Sequence, residues 1–97
     1  MSITAITNLH AAPGQDDDLA RLLASGRDRM RDAEGCESFD LLRDEDDPCA
    51  MTFLQRWVSH AAHDAAFSER IVQSGHLAKV LAVIDKPILQ HAYQVAP

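Results

Sequence analysis

From residue 3 to residue 10 the chain runs Ile3-Thr4-Ala5-Ile6-Thr7-Asn8-Leu9-His10. It is rich in β-branched residues and apolar on both parities, as in a strand covered on two faces. Ala12-Pro13-Gly14 stops it. Leu19, Leu22, Leu23, Gly26, Met30 and Ala33 then fall on one helical stripe. Asp16, Asp17 and Asp18 at its start and Arg27, Arg29 and Arg31 near its end favour the helix dipole, and Gly35 is a stop. Ser38 to Arg43 and Ala50 to Trp57 read as two strands around the acidic turn Asp44-Glu45-Asp46-Asp47-Pro48. Centring that turn near Asp46 sets Phe39 opposite Phe53 and Leu41 opposite Met51. Ser59 can cap a second helix from His60, which Gly75 breaks into two pieces and in which Leu77, Val80, Leu81 and Ile84 keep helical spacing. Asp85-Lys86-Pro87 ends it, and Ile88 to Val95 is a last strand.

The predicted order is βαββαβ, an α+β ferredoxin-like fold with both helices on one face of a four-stranded antiparallel sheet, spanning 1–97 as one domain. Alternation assigns one parity to the helices: Ile3, Ala5, Thr7, Leu9, Phe39, Leu41, Met51, Phe53, Gln55, Trp57, Leu89, His91, Tyr93 and Val95. The other parity carries Thr4, Ile6, Leu42, Thr52, Leu54, Ile88 and Ala92, too apolar to leave wet across a whole sheet. A second copy packed sheet to sheet would cover it, so a homodimer is expected, with Ile6, Leu54 and Ile88 at its interface.

Composition narrows the function classes. Of the 97 residues, 46% are hydrophobic and 25% charged, which is ordinary for a globular chain. A net charge of −6, with no basic cluster denser than Arg27, Arg29 and Arg31, argues against nucleic acid as a partner. No window approaches the roughly 18 apolar residues of a membrane span, and Met1-Ser2-Ile3-Thr4 does not start as a signal peptide, so no membrane partner and a cytoplasmic location are expected. The hairpin sets Cys36 and Cys49 at opposite ends of neighbouring strands, roughly 20 Å apart, which predicts two free thiols.

The helix-facing parity holds more polar groups than a pure core needs: Thr7, Gln55, His91, the Tyr93 phenol and the Trp57 indole nitrogen. Taken singly, each is more often satisfied by a neighbour or a water; converging, they also suit a ligand pocket. His63 shares a helical stripe with His60, Phe67 and Ile71, and His76 opens the second half of the helix, so either could overhang the sheet. An imidazole is suited to taking a proton near neutral pH. His60 reads as a surface residue. His60-x-x-His63 has metal-ligand spacing but no third ligand, and the acidic turn lacks the spacing and glycine of a calcium loop, so no metal site is expected.

Pro13-Gly14 before an amphipathic helix, Glu34-Gly35-Cys36, Phe39-Asp40-Leu41-Leu42-Arg43-Asp44, Asp47-Pro48, Leu54-Gln55-Arg56-Trp57-Val58-Ser59 and Ser74-Gly75-His76-Leu77 together resemble the antibiotic biosynthesis monooxygenase (ABM) family. The resemblance covers nearly the whole chain. It implies a homodimeric α/β barrel and, as in several members, oxidation of a small hydroxylated aromatic or quinol by dioxygen with no metal or flavin cofactor. The family also contains isomerases, haem-binding proteins and members without assigned chemistry. Members often carry an acid two residues before the strand-end tryptophan and a histidine nine residues after it; here these are Gln55 and Ala66. About five extra residues also separate Trp57 from the Ser-Gly-His stretch. The expected roles are His63, His76 or His91 as base, Trp57, Phe53 and Tyr93 as aromatic walls, and Gln55 or Thr7 as donor to a phenolate. The alternatives are a proton-transfer isomerase, a haem binder, and a small-molecule-binding or stress-associated dimer without turnover.

Overall fold

In the computed structural model, which describes residues 2–96, the β-branched opening segment forms strand β1 (Ile3–His10). Helix α1 (Asp16–Arg31) follows, with Asp16, Asp17 and Asp18 in its first turn and Arg29 and Arg31 in its last. It buries Leu19, Leu23, Gly26 and Met30 against the sheet. Strands β2 (Cys36–Arg43) and β3 (Ala50–Trp57) make the hairpin, and β4 (Leu89–Gln94) closes the chain. The sheet is antiparallel in the order β2-β3-β1-β4, which is the ferredoxin-like arrangement.

The second helical region is three pieces. Helix α2 (His60–Phe67) starts at Ser59, whose side-chain oxygen accepts from the Ala62 N–H. It widens into a π-helical turn (Ser68–Val72), and Gly75, at φ +81°, redirects the chain into α3 (His76–Leu81). The glycine break is where the sequence places it. The π-helical turn is not legible there, because its five residues are too few to set an apolar period of their own.

Two details of the sheet correct the sequence reading. In the hairpin, Phe39 pairs with Gln55 and Leu41 with Phe53, not with Phe53 and Met51. The Asp44 carboxylate accepts from the N–H groups of Asp46 and Asp47, and Asp47 accepts from Cys49, which centres the turn one residue later. A register shift of two residues leaves every side chain on its expected face.

The last strand does not keep its expected face. Ala5 pairs with Ala92, Thr7 with Gln90 and Ile6 with His91, so Gln90 and Ala92 lie beneath the helices. Leu89, His91 and Tyr93 share the outer face with Ile6 and Leu54, and Ile88 packs into the core instead. Both parities of residues 88–95 carry apolar side chains, so alternation alone could not choose. The small Ala92 fits under the helices where Tyr93 would not.

The core divides into two clusters under the helices. One joins Trp57, Phe39, Met30, Ile3 and Ile71; the other joins Leu19, Leu9, Met51, Leu23 and Val80. Cys36 and Cys49 are both free. Leu42, Leu89 and Tyr93 stand about half exposed on the outer sheet face.

Candidate functional site

Between the two clusters, under the junction of α2, the π-helical turn and α3, lies a cavity of about 90 Å³. Its walls are mostly aliphatic and aromatic, with Phe53 on the sheet side and Phe67 and Leu77 on the helix side. The polar atoms come from Thr7, Gln55, Gln90, His63 and His76. No arginine, lysine, aspartate or glutamate lines it. Engineered apolar cavities of about 150 Å³ accept benzene, so one aromatic ring fills this site only if the half-buried Phe67 and Leu77 give way or part of the ring stays at the mouth.

Along the floor runs a directed chain of hydrogen bonds. The Trp57 Nε1–H, in a fully buried ring, donates to Gln55 Oε1 at 2.9 Å. Because an indole nitrogen only donates, this fixes the Gln55 amide, whose Nε2 then donates to Thr7 Oγ1 at 3.2 Å. The Thr7 hydroxyl passes its own proton to Gln90 Oε1 at 2.8 Å. β1 and β3 pair Thr7 with Phe53 and Ala5 with Gln55, which sets the members of the chain diagonally across the sheet.

The two histidines of the roof are held by opposite ring nitrogens. His63 is buried, edge-on to Trp57 at 5.4 Å and stacked on Phe67 at 5.8 Å. Its Nδ1 lies 3.0 Å from the Asp64 carboxylate, so Nδ1 carries a proton and donates, and Nε2 is left without a protein partner. Among the described residues no fully buried side-chain nitrogen or oxygen lacks a partner, so the unpaired Nε2 retains accessible surface.

His76 Nε2 donates to the Leu22 carbonyl at 2.7 Å, and burial holds its pKa below the ordinary 6.5. Gly26 makes this approach possible. A Cβ there would sit 3.2 Å from His76 Nε2. His76 is thus a neutral imidazole fastened to α1 by the nitrogen that carries its proton.

Of the residues singled out in the sequence, the structure brings together Thr7, Phe53, Gln55, His63 and His76 around one cavity. Trp57 lies beneath it and acts through Gln55 and His63 without being a wall. His91 and Tyr93 are on the outer sheet face, their rings 4.7 Å apart, and take no part in the cavity. That removes His91 as a base for this pocket and Tyr93 as its wall. Sequence reasoning missed Gln90, hidden by the inverted parity of β4; Asp64, whose adjacency to His63 was the available signal; and Gly26, read only as part of an apolar stripe.

A second polar cluster lies at the far end of β1. His10 Nδ1 is 2.8 Å from Asp85 and its Nε2 3.0 Å from Asp47. Both nitrogens therefore donate, and the hydrogen bonds to Asp85 and then Asp47 raise its pKa. The Asp47 carboxyl is lowered, first by the Cys49 N–H and then by His10. Among the described residues no cluster of three or more histidine, cysteine or acidic side chains is arranged to hold a metal ion.

The model of the family described as antibiotic biosynthesis monooxygenase matches residues 2–81. This chain belongs to the ABM family. Among solved structures, a protein described as an antibiotic biosynthesis monooxygenase superposes with a TM-score of 0.89 at 20% identity, covering 98% of this chain and 99% of its own. Rv0793 from Mycobacterium tuberculosis superposes at 0.88 and 20% identity, with 100% and 97% covered. A mutant of SnoaB, a cofactor-independent oxygenase from Streptomyces nogalater, superposes at 0.83 and 14% identity, with 99% and 94% covered. No curated protein matches the sequence. These likenesses establish the ABM fold for this chain; members of the ABM family are commonly dimeric. No helix among the described residues is long and apolar enough to cross a membrane.

Proposed function

We propose that this ABM protein is a cofactor-independent monooxygenase that oxidises a small one-ring hydroxylated aromatic or quinol with dioxygen. The observation that carries the reading is His63: its Nδ1 held by Asp64, its Nε2 without a partner yet accessible, and its ring among those lining an apolar cavity. Membership of the ABM family and the likeness to a cofactor-independent oxygenase support the reaction class.

In this reading His63 Nε2 takes the phenolic proton. The apolar walls keep water from quenching the phenolate, and the second N–H of the neutral Gln55 amide, not spent on Thr7, holds its oxygen without protonating it. The phenolate supplies the electrons, so no metal or flavin is called for. Its electron-rich ring carbon forms a bond to dioxygen, giving a hydroperoxide after proton transfer from the histidine. Loss of water across that C–O–OH group leaves a carbonyl. One oxygen atom enters the ring and the other leaves as water, and a quinol loses two hydrogens in becoming a hydroxyquinone. A cavity of about 90 Å³, enlarged by yielding of Phe67 and Leu77 or with the ring partly at its mouth, takes one ring and not a fused system.

The half-exposed Leu42, Leu89 and Tyr93, with Ile6 and Leu54 between them, form an apolar sheet face, and the reading seats a second copy of the chain there. A second functional reading, a binding dimer without turnover, is favoured by the amide of Gln55 lying where family members often carry an acid. Incubation with benzene-1,4-diol in air and under argon separates the two. Turnover in air that stops under argon and is lost in His63→Gln supports the oxygenase; turnover that persists without oxygen excludes it.

A further inference from the structure

The floor chain has a direction, and its last member has no stated task. Trp57 can only donate, so Gln55 accepts with its oxygen and donates with its nitrogen; Thr7 accepts from Gln55 and spends its single proton on Gln90 Oε1. With its oxygen committed, the Gln90 amide is turned so that Nε2 and its two N–H groups are left over. Gln90 is exposed and also lines the cavity, so the residue reaches from solvent to the edge of a space of about 90 Å³ that one ring overfills. No ionisable side chain other than the two histidines lines the cavity to compete for it.

We propose that Gln90 is the specificity-determining residue of this site. Its Nε2 donates to an acceptor oxygen on the aromatic substrate, while Thr7, Gln55 and Trp57 act as positioning residues that fix the amide's orientation. The chain of donors therefore selects a ring carrying an acceptor oxygen, a second hydroxyl, a carbonyl or an ether, in addition to the hydroxyl offered to His63. This rests on the cavity being the substrate site, as proposed above, but not on the reaction with oxygen. The energetic scale is one hydrogen bond in a partly desolvated place, about a tenfold effect on affinity.

The test compares two one-ring probes of like size, acetophenone, which has an acceptor oxygen, and ethylbenzene, which has none. Their dissociation constants are measured by ligand-detected NMR under argon, so that no turnover enters. The native protein should bind acetophenone at least fivefold more tightly than ethylbenzene. Gln90→Glu keeps an oxygen for the Thr7 hydroxyl and removes the donors, so it should erase that preference and leave ethylbenzene within twofold. Thr7→Ser should retain the preference and Thr7→Val should lose most of it. An unchanged ratio in Gln90→Glu, an equal weakening of both probes, or no preference or no binding in the native protein would each overturn the proposal. If the ratios behave as stated while benzene-1,4-diol is never oxidised, the oxygenase reading fails and the role of Gln90 stands.

Discussion

Replacing Gln55 by leucine removes the acceptor of the Trp57 indole and leaves that N–H in a fully buried ring with nothing to bond. A buried donor without a partner costs about 1–3 kcal/mol. Thr7 loses a donor but still gives its proton to Gln90, so its hydroxyl is not orphaned. Leucine in place of a buried amide recovers roughly 1 kcal/mol of apolar burial, which leaves a net loss of up to about 2 kcal/mol. For a domain of this size that lowers the melting temperature by up to about 15 °C. Trp57→Phe alone strands the Gln55 oxygen and leaves a small void, for about 2–3 kcal/mol. The double variant has neither orphan, so the two losses should fall short of additive by about 1–2 kcal/mol. Urea denaturation followed by circular dichroism, with all four proteins at one concentration because self-association shifts apparent stability, reads the coupling. Additivity to within about 0.5 kcal/mol would refute the directed chain.

Other expectations are as specific. Gly26→Ala should be close to neutral in the native background, because about 1 kcal/mol of helix propensity is offset by crowding of His76 at 3.2 Å. In His76→Ala it should stabilise by about 1 kcal/mol in chemical denaturation. Asp64→Asn should slow turnover with little change in melting temperature, since the exposed Asp64 carboxylate acts through the His63 tautomer. The two shifted histidines predict opposite pH responses. His10, raised in the fold, contributes stability that is full below pH 6.5 and is lost as pH rises through its folded value, whereas His76, lowered, costs stability as pH falls from 6.5 toward its folded value. Melting curves of His10→Gln and His76→Ala across pH 5–8 should lose these slopes in opposite directions. Leu54→Lys on the outer sheet face should convert a dimer to a monomer in light scattering.

Element order was legible because β1, α1 and the hairpin are bounded by Pro13-Gly14, Gly35 and the acidic turn, each a local signal acting on a clear apolar period. The site was legible only where one strand parity was unambiguous. Thr7 and Gln55 share the parity of Ala5, Leu9 and Phe53, so their face followed from their own strands. In β4 Leu89, Tyr93 and Val95 outweigh Ile88 and Ala92 by bulk, and bulk points the wrong way once β1 supplies the covering pair Ala5–Ala92. The inversion exchanged His91 for Gln90 at the cavity. The histidine tautomers were out of reach from sequence, since they depend on a carbonyl of α1 and on one carboxylate's side-chain angle.

Oxygen stoichiometry during oxidation of benzene-1,4-diol, with the His63→Gln variant run as background, distinguishes monooxygenation from simple oxidation. Monooxygenation predicts one dioxygen consumed for each hydroxyquinone formed and no oxygen returned when catalase is added. Oxygen returned by catalase would show peroxide release by simple oxidation, and no uptake above the His63→Gln background would contradict the account outright.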